Sequence, residues 1–154
     1  MLHESGNFGN SQIVHYGGDS DDDNPTHYRK GTLHFFHNTV ISQRTGNTTL
    51  VRLSTAGESL DARNNIIYVS GAGTSLAITT GMGAATLRNN CLPMGFRKTF
   101  ETLNGSVDDM GTVTASDPGF TDLAGGDFTL AAGSPCLDKA GPLAAEAQAR
   151  GWRR

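Results

Sequence analysis

A repeat of about 26 residues runs through the first 92 positions, and it restricts the chain to folds built by stacking one unit on the next. Two families of segments carry it. The first comprises residues 11–17, 48–54 and 74–80, each strand-like and each preceded by Asn10, Asn47 or Gly73, residues that tolerate a positive φ. The second comprises residues 33–40, 60–67 and 85–92, which align on Asn38, Asn65 and Asn90. Asn38 to Asn65 spans 27 positions, Asn65 to Asn90 spans 25, and Leu50 to Leu76 spans 26. Ile13 to Leu50 spans 37, but the loop from Gly17 to Leu33 is ten residues longer than the loop from Ser54 to Leu60, and removing that insertion restores 27.

The alternation within the second family identifies its units as half-buried strands. Leu33/Phe35, Leu60/Ala62 and Ala85/Leu87 share an apolar face, while His34/Phe36, Asp61/Arg63 and Thr86/Arg88 take the other. Ile67 and Leu92 follow in the next apolar runs and join the same expected core. An Asn ends each first run and is expected to visit the left-handed region, turning the chain into the next strand. Stacked at one strand spacing, Asn38, Asn65 and Asn90 would form a ladder of amides, with His37, Asn64 and Asn89 beside them. The first family, aligned without gaps, places His15, Arg52 and Ile78 at one stacked position and Tyr16, Leu53 and Thr79 at the next.

Composition agrees with short strands and tight turns: 36% of residues are hydrophobic, 18% are charged, and there are 20 glycines. A net charge of −3 excludes the basic footprint that nucleic-acid binding requires. No apolar run approaches the roughly 18–20 residues of a membrane span. Cys91 and Cys136 read as two buried free thiols, with a disulfide as the alternative. The opening residues lack the basic and apolar regions of a signal peptide. Because the repeat begins abruptly, further coils are expected ahead of it in a longer secreted chain. The edge of the first coil would then pair with those coils or with another chain.

Strand, Asn bend, strand, loop, strand at this period resembles the right-handed parallel β-helix of pectate-lyase-like secreted bacterial proteins. Asp117-Pro118-Gly119-Phe120, then Gly126-Asp127-Phe128-Thr129-Leu130, then Ser134-Pro135-Cys136-Leu137-Asp138 resemble the closing segment of many such proteins. Cys136 stands where a small residue is usual. The resemblance covers residues 8–141 and implies an all-β solenoid of about three coils. Coils are expected over 1–92, with an irregular C-terminal cap and tail of the same domain over 93–154. Pro142 through Arg150, alanine-rich and followed by Gly151, reads as a short terminal helix.

The resemblance implies a secreted or cell-surface carbohydrate-active protein, a polysaccharide lyase or hydrolase acting on an acidic polysaccharide. Its rival is a non-catalytic module for glycan binding, adhesion or structure, because this architecture hosts many functions. In β-elimination of a uronate a cation steadies the carboxylate while a base removes the C5 proton. His15 would be that base and Arg52 that cation; both also read as ordinary surface residues. Tyr16, Arg29 and Lys30 lie near enough to contact an oligosaccharide. Phe36 would stack on a sugar ring or, more in keeping with the pattern, pack under a neighbouring segment. In the inserted loop, Asp19, Asp21, Asp22 and Asp23 would suit Ca²⁺, which many lyases of this fold use, or form a solvated acidic turn. His34 and His37 point to opposite faces of a strand and cannot share a metal.

Overall fold

A computed structural model describes residues 1–6, 9–18, 29–71 and 75–149. Among them the chain is all-β: strands in parallel sheets with one short helix. The first sheet holds β2 (Gln12–Tyr16), β5 (Thr48–Leu53) and β8 (Leu76–Thr79). The second holds β3 (Gly31–Phe36), β6 (Glu58–Arg63), β9 (Ala84–Arg88) and β11 (Ser106–Met110). The third holds β1 (Leu2–Glu4), β4 (Thr39–Ser42), β7 (Ile66–Val69), β10 (Cys91–Pro93) and β12 (Val113–Ala115). Every neighbouring pair in these sheets is parallel, and the chain passes through them in the same order each time. Among the described residues no helix is long and apolar enough to cross a membrane.

In the second sheet Leu33 pairs with Leu60 and Leu60 with Ala85, while Phe35 pairs with Ala62 and Ala62 with Leu87. Phe35, Leu60, Ala62, Leu87, Ile67 and Leu92 are buried in one cluster, and Leu33 is partly buried against it. The spacing of apolar residues therefore sets which face each strand turns inward, because a side-chain period of two admits no one-residue slip.

The bend after these strands departs from the expectation in one respect. The left-handed residues are His37, Asn64 and Asn89, with φ of 55°, 58° and 54°, and not the asparagines that follow them. That placement turns the chain one residue earlier and aims Asn38, Asn65 and Asn90 at one another. The Asn38 amide donates to Asn65 Oδ1 at 3.1 Å, and the Asn65 amide donates to Asn90 Oδ1 at 2.9 Å. The Asn65 and Asn90 amides also donate to the carbonyls of Phe35 and Ala62 on the preceding pass, at 2.8 and 2.9 Å. Asn65 and Asn90 are each 1% exposed, so the ladder satisfies backbone groups that water does not reach.

In the first sheet His15 pairs with Arg52 as the alignment predicts, but Thr49 pairs with Ala77 and Val51 with Thr79. The β5–β8 spacing is thus 28, two more than expected, so Ile78 does not stack on Arg52. A two-residue slip leaves every side chain on its original face, and both strands are largely buried on both faces, so no alternation fixed the register.

Parallel pairing also runs past Leu92. Ser106 pairs with Ala84 and Val113 with Cys91, at a spacing of 22, and Arg97 bridges Ala77 in the first sheet. Thr112 stands where the next ladder Asn would fall, and its hydroxyl bonds Asp109 instead. The tail then turns back. The antiparallel hairpin β13 (Phe120–Asp122) and β14 (Asp127–Leu130) brings Phe120 to Tyr68 and Phe128 to His3, across the outer side of the third sheet.

Cys91 and Cys136 are joined in a disulfide, with Cα atoms 5.6 Å apart, which corrects the reading as free thiols. The two lie 45 positions apart, and only the folded-back tail brings them together within an apolar cluster containing Ile66, Val113 and Leu130. Asn64 and Gly141 exchange two further hydrogen bonds of 2.8 Å. The tail ends in α1 (Ala145–Ala149), the expected helix, and Leu143, Ala144 and Ala147 of this segment pack on Phe36.

Candidate functional site

The strongest sequence candidates meet where β2 leads toward the inserted loop. His15 and Arg52 are register partners on neighbouring parallel strands, which places their Cα atoms about 5 Å apart. His15 is exposed, and its Nε2 lies 3.0 Å from Ser54 Oγ. Arg52 is half-buried and lines a small cavity of about 150 Å³ with Ser54, Thr80 and Glu101. The Tyr16 hydroxyl donates to the Lys30 carbonyl at 3.2 Å, so the strand and the returning end of the insertion are tied together. Arg29 and Lys30 are both exposed along that end.

Lys30 has a partner that the sequence reading missed. Its ammonium donates to Glu58 Oε1 at 2.9 Å and to Thr55 Oγ1 at 3.0 Å. Glu58 is 1% exposed, at the start of β6, and also accepts from the Thr55 backbone N–H at 2.5 Å. Burial alone would push the Glu58 carboxyl up, but the bonds from Lys30 and Thr55 and the Lys30 charge outweigh it and hold the carboxyl below the usual glutamate range. A Cβ on Gly17, at φ +101°, would sit 2.8 Å from the Glu58 carboxyl carbon, so only glycine admits this carboxylate beneath β2. The signal was present: Gly31 aligns with Glu58 just as Leu33 aligns with Leu60, which sets Lys30 beside Glu58.

This pair has a pH consequence. A carboxyl whose folded pKa is lowered contributes stability that is fully present above its unfolded value, about 4.3, and is lost as pH falls through the folded value. Urea unfolding of the parent chain and of Glu58→Gln between neutral and acid pH is expected to give two different slopes. The parent should lose more stability than the variant on acidification below the unfolded value, and the variant should be about 1–2 kcal/mol weaker at neutral pH. Parallel curves would show that Glu58 carries no folding linkage.

Phe36 does not belong to this group. It sits at the far end of β3 from Gly31, about 17 Å along the strand, under the C-terminal segment. Asp19, Asp21, Asp22 and Asp23, the suggested calcium ligands, lie outside the described residues. Among the described residues no three His, Cys, Asp or Glu side chains converge as a metal site. His37 lies at the left-handed bend, its backbone N–H bonded to the Arg63 carbonyl at 3.2 Å. No family model matches this chain, and no curated protein or solved structure matches it.

Proposed function

We propose that the three parallel sheets are the faces of a right-handed parallel β-helix of the pectate-lyase-like kind. In this reading the chain belongs to a secreted or cell-surface carbohydrate-active protein that engages an acidic polysaccharide on the outer side of β2 and β5. The observation that carries the reading is the register pairing of His15 with Arg52. It sets an imidazole and a guanidinium one strand apart, beside the exposed cationic end of the insertion at Arg29 and Lys30. Arg52 would hold a uronate carboxylate through its planar donor fork. In a lyase, His15 Nε2 would take the C5 proton while Arg52 steadies the charge that develops on the carboxylate. Calcium, if bound, would be held by Asp19, Asp21, Asp22 and Asp23 and would supply positive charge to steady a uronate carboxylate.

A second reading, glycan binding without catalysis, draws support from Ser54. Its hydroxyl lies at hydrogen-bond distance from the very nitrogen that would act as base, and the Arg52 cavity is too small to enclose a sugar residue. Titration with galacturonate oligosaccharides, with and without calcium, tests the site itself. Arg52→Ala is expected to weaken binding at least tenfold, as loss of a charge-assisted contact does. Unchanged affinity in that variant removes the site from this face. Formation of unsaturated product by the parent and its loss in His15→Ala would select the lyase reading; binding with no product would select the second.

A further inference from the structure

The outer side of the second sheet carries a separate group of polar side chains. His34 on β3 and Asp61 on β6 are register partners, and Thr86 on β9 pairs with Asp61 in turn. Asp61 is 8% exposed and is held from two sides. Arg63 Nε donates to its Oδ1 at 2.7 Å, and His34 Nδ1 lies 3.5 Å from its Oδ2. His34 Nδ1 is buried and makes no hydrogen bond, while the ring as a whole is 25% exposed, so the open edge of the imidazole is the one away from Asp61. The carboxylate thus orients the Arg63 guanidinium while that side chain remains accessible, at 23% exposed. Only its Nε is engaged among the described residues.

Folding back of the C-terminal segment makes this patch concave. Glu146 on α1 faces it across a cavity of about 270 Å³ that His34, Asp61, Arg63, Ser59 and Thr86 also line. Among the described residues Glu146 has no ion-pair or hydrogen-bond partner, although Arg63 lines the same cavity. With neutral histidine the lining carries two carboxylates against one guanidinium, a net charge of −1 that disfavours an anion. What the walls present instead is a mixture of acceptors and donors around a space of one-ring size: the Glu146 carboxylate, the Arg63 Nη groups, the outer edge of His34 and the Thr86 hydroxyl. That inventory matches vicinal hydroxyls, each of which donates once and accepts once.

We propose that this cavity is a binding site for an uncharged pyranose residue, its hydroxyls donating to Glu146 and accepting from Arg63, with the outer edge of His34 beside them. The site lies on a different sheet face from the His15–Arg52 pair and does not depend on it. Asp61 is a positioning residue: it fixes the plane of the Arg63 guanidinium without touching the sugar.

Backbone-amide NMR titration of the whole chain with cellotetraose, mannotetraose and xylotetraose at millimolar concentrations tests this directly. Saturable shifts are expected for at least one of the three, centred on Arg63, Ala84, Thr86 and Glu146. Glu146→Ala, an exposed helix position whose replacement leaves the fold intact, is expected to weaken that binding at least tenfold, and Glu146→Gln to restore part of it. Absence of saturable shifts with all three probes would overturn the proposal, as would shifts confined to β2 and β5 or an affinity unchanged in Glu146→Ala. A galacturonate oligosaccharide that bound here as tightly as the neutral probes would also contradict it. Loss of uronate binding in Arg52→Ala would leave this site untouched.

Discussion

Replacing Asn65 by Ala is expected to destabilise the chain by about 3–4 kcal/mol, because its side chain makes four hydrogen bonds, two buried and two part-buried, each contributing about 1 kcal/mol. The Asn65 amide donates to the Phe35 carbonyl and to Asn90 Oδ1, and its Oδ1 accepts from the backbone N–H and the amide of Asn38 at 3.0 and 3.1 Å. Alanine would remove the side-chain partner of the Phe35 carbonyl and of the Asn38 backbone N–H, while Asn90 Oδ1 would keep the residue-65 backbone N–H and the Asn38 amide would keep the Phe36 carbonyl. Asn65→Asp should lose a comparable amount, since it removes both donors and turns a carboxylate toward two acceptors. Urea titration at neutral pH measures both. A loss within about 1 kcal/mol for Asn65→Ala would mean that the ladder adds little to the contacts around it.

The second large effect is expected at Phe35. Its side chain is 8% exposed and lies in the central cluster, on the last strand of the second sheet, with Ala62 as its register partner and Leu87 on the strand beyond. Phe35→Ala is expected to cost about 3–5 kcal/mol, the range for deleting a core aromatic. The neighbouring Phe36→Ala is the control. Its ring is only partly buried and touches the C-terminal segment from outside, so its loss should be clearly smaller and should loosen α1 before the sheets. Equal costs at the two positions, or a cost of a few tenths at Phe35, would mean that the inward and outward faces of β3 are exchanged.

These two residues mark what the sequence made legible. An apolar inner face repeated every second residue in β3, β6 and β9 carries the register, and the recurring Asn carries the ladder. Where alternation fails, so did the reading. The strands β5 and β8 are buried on both faces, so nothing distinguished a spacing of 26 from the observed 28 between Thr49 and Ala77. The fourth pass was hidden because its spacing contracts to 22 and Thr112 replaces the marker Asn. The position of the bend is ambiguous in sequence, since Asn64 and Asn89 precede Asn65 and Asn90 and either member suits a left-handed turn.

The candidate sites divide in the same way. His15 and Arg52 are strand residues in register, so repeat alignment alone brings them together. Glu58 was overlooked because its partner Lys30 belongs to the loop end and not to the strand alternation. The disulfide, the covering of Phe36 and the cavity beside Glu146 all depend on the tail returning along the outer faces. No local pattern in residues 116–149 records that path. It follows from contacts such as Tyr68 with Phe120 and Asn64 with Gly141, each more than 50 positions apart in sequence.

The parallel strands are registered from one pass to the next through the Asn ladder, and nuclear Overhauser contacts in a uniformly labelled chain test that register. Contacts are expected from the Asn65 side-chain amide protons to Asn38 and Asn90, together with side-chain contacts linking Leu33 to Leu60, Leu60 to Ala85 and Ala85 to Val107. Close Hα–Hα contacts between β3 and β6, the mark of antiparallel neighbours, or an Asn65 amide that exchanges freely with water and touches neither Asn38 nor Asn90, would contradict it.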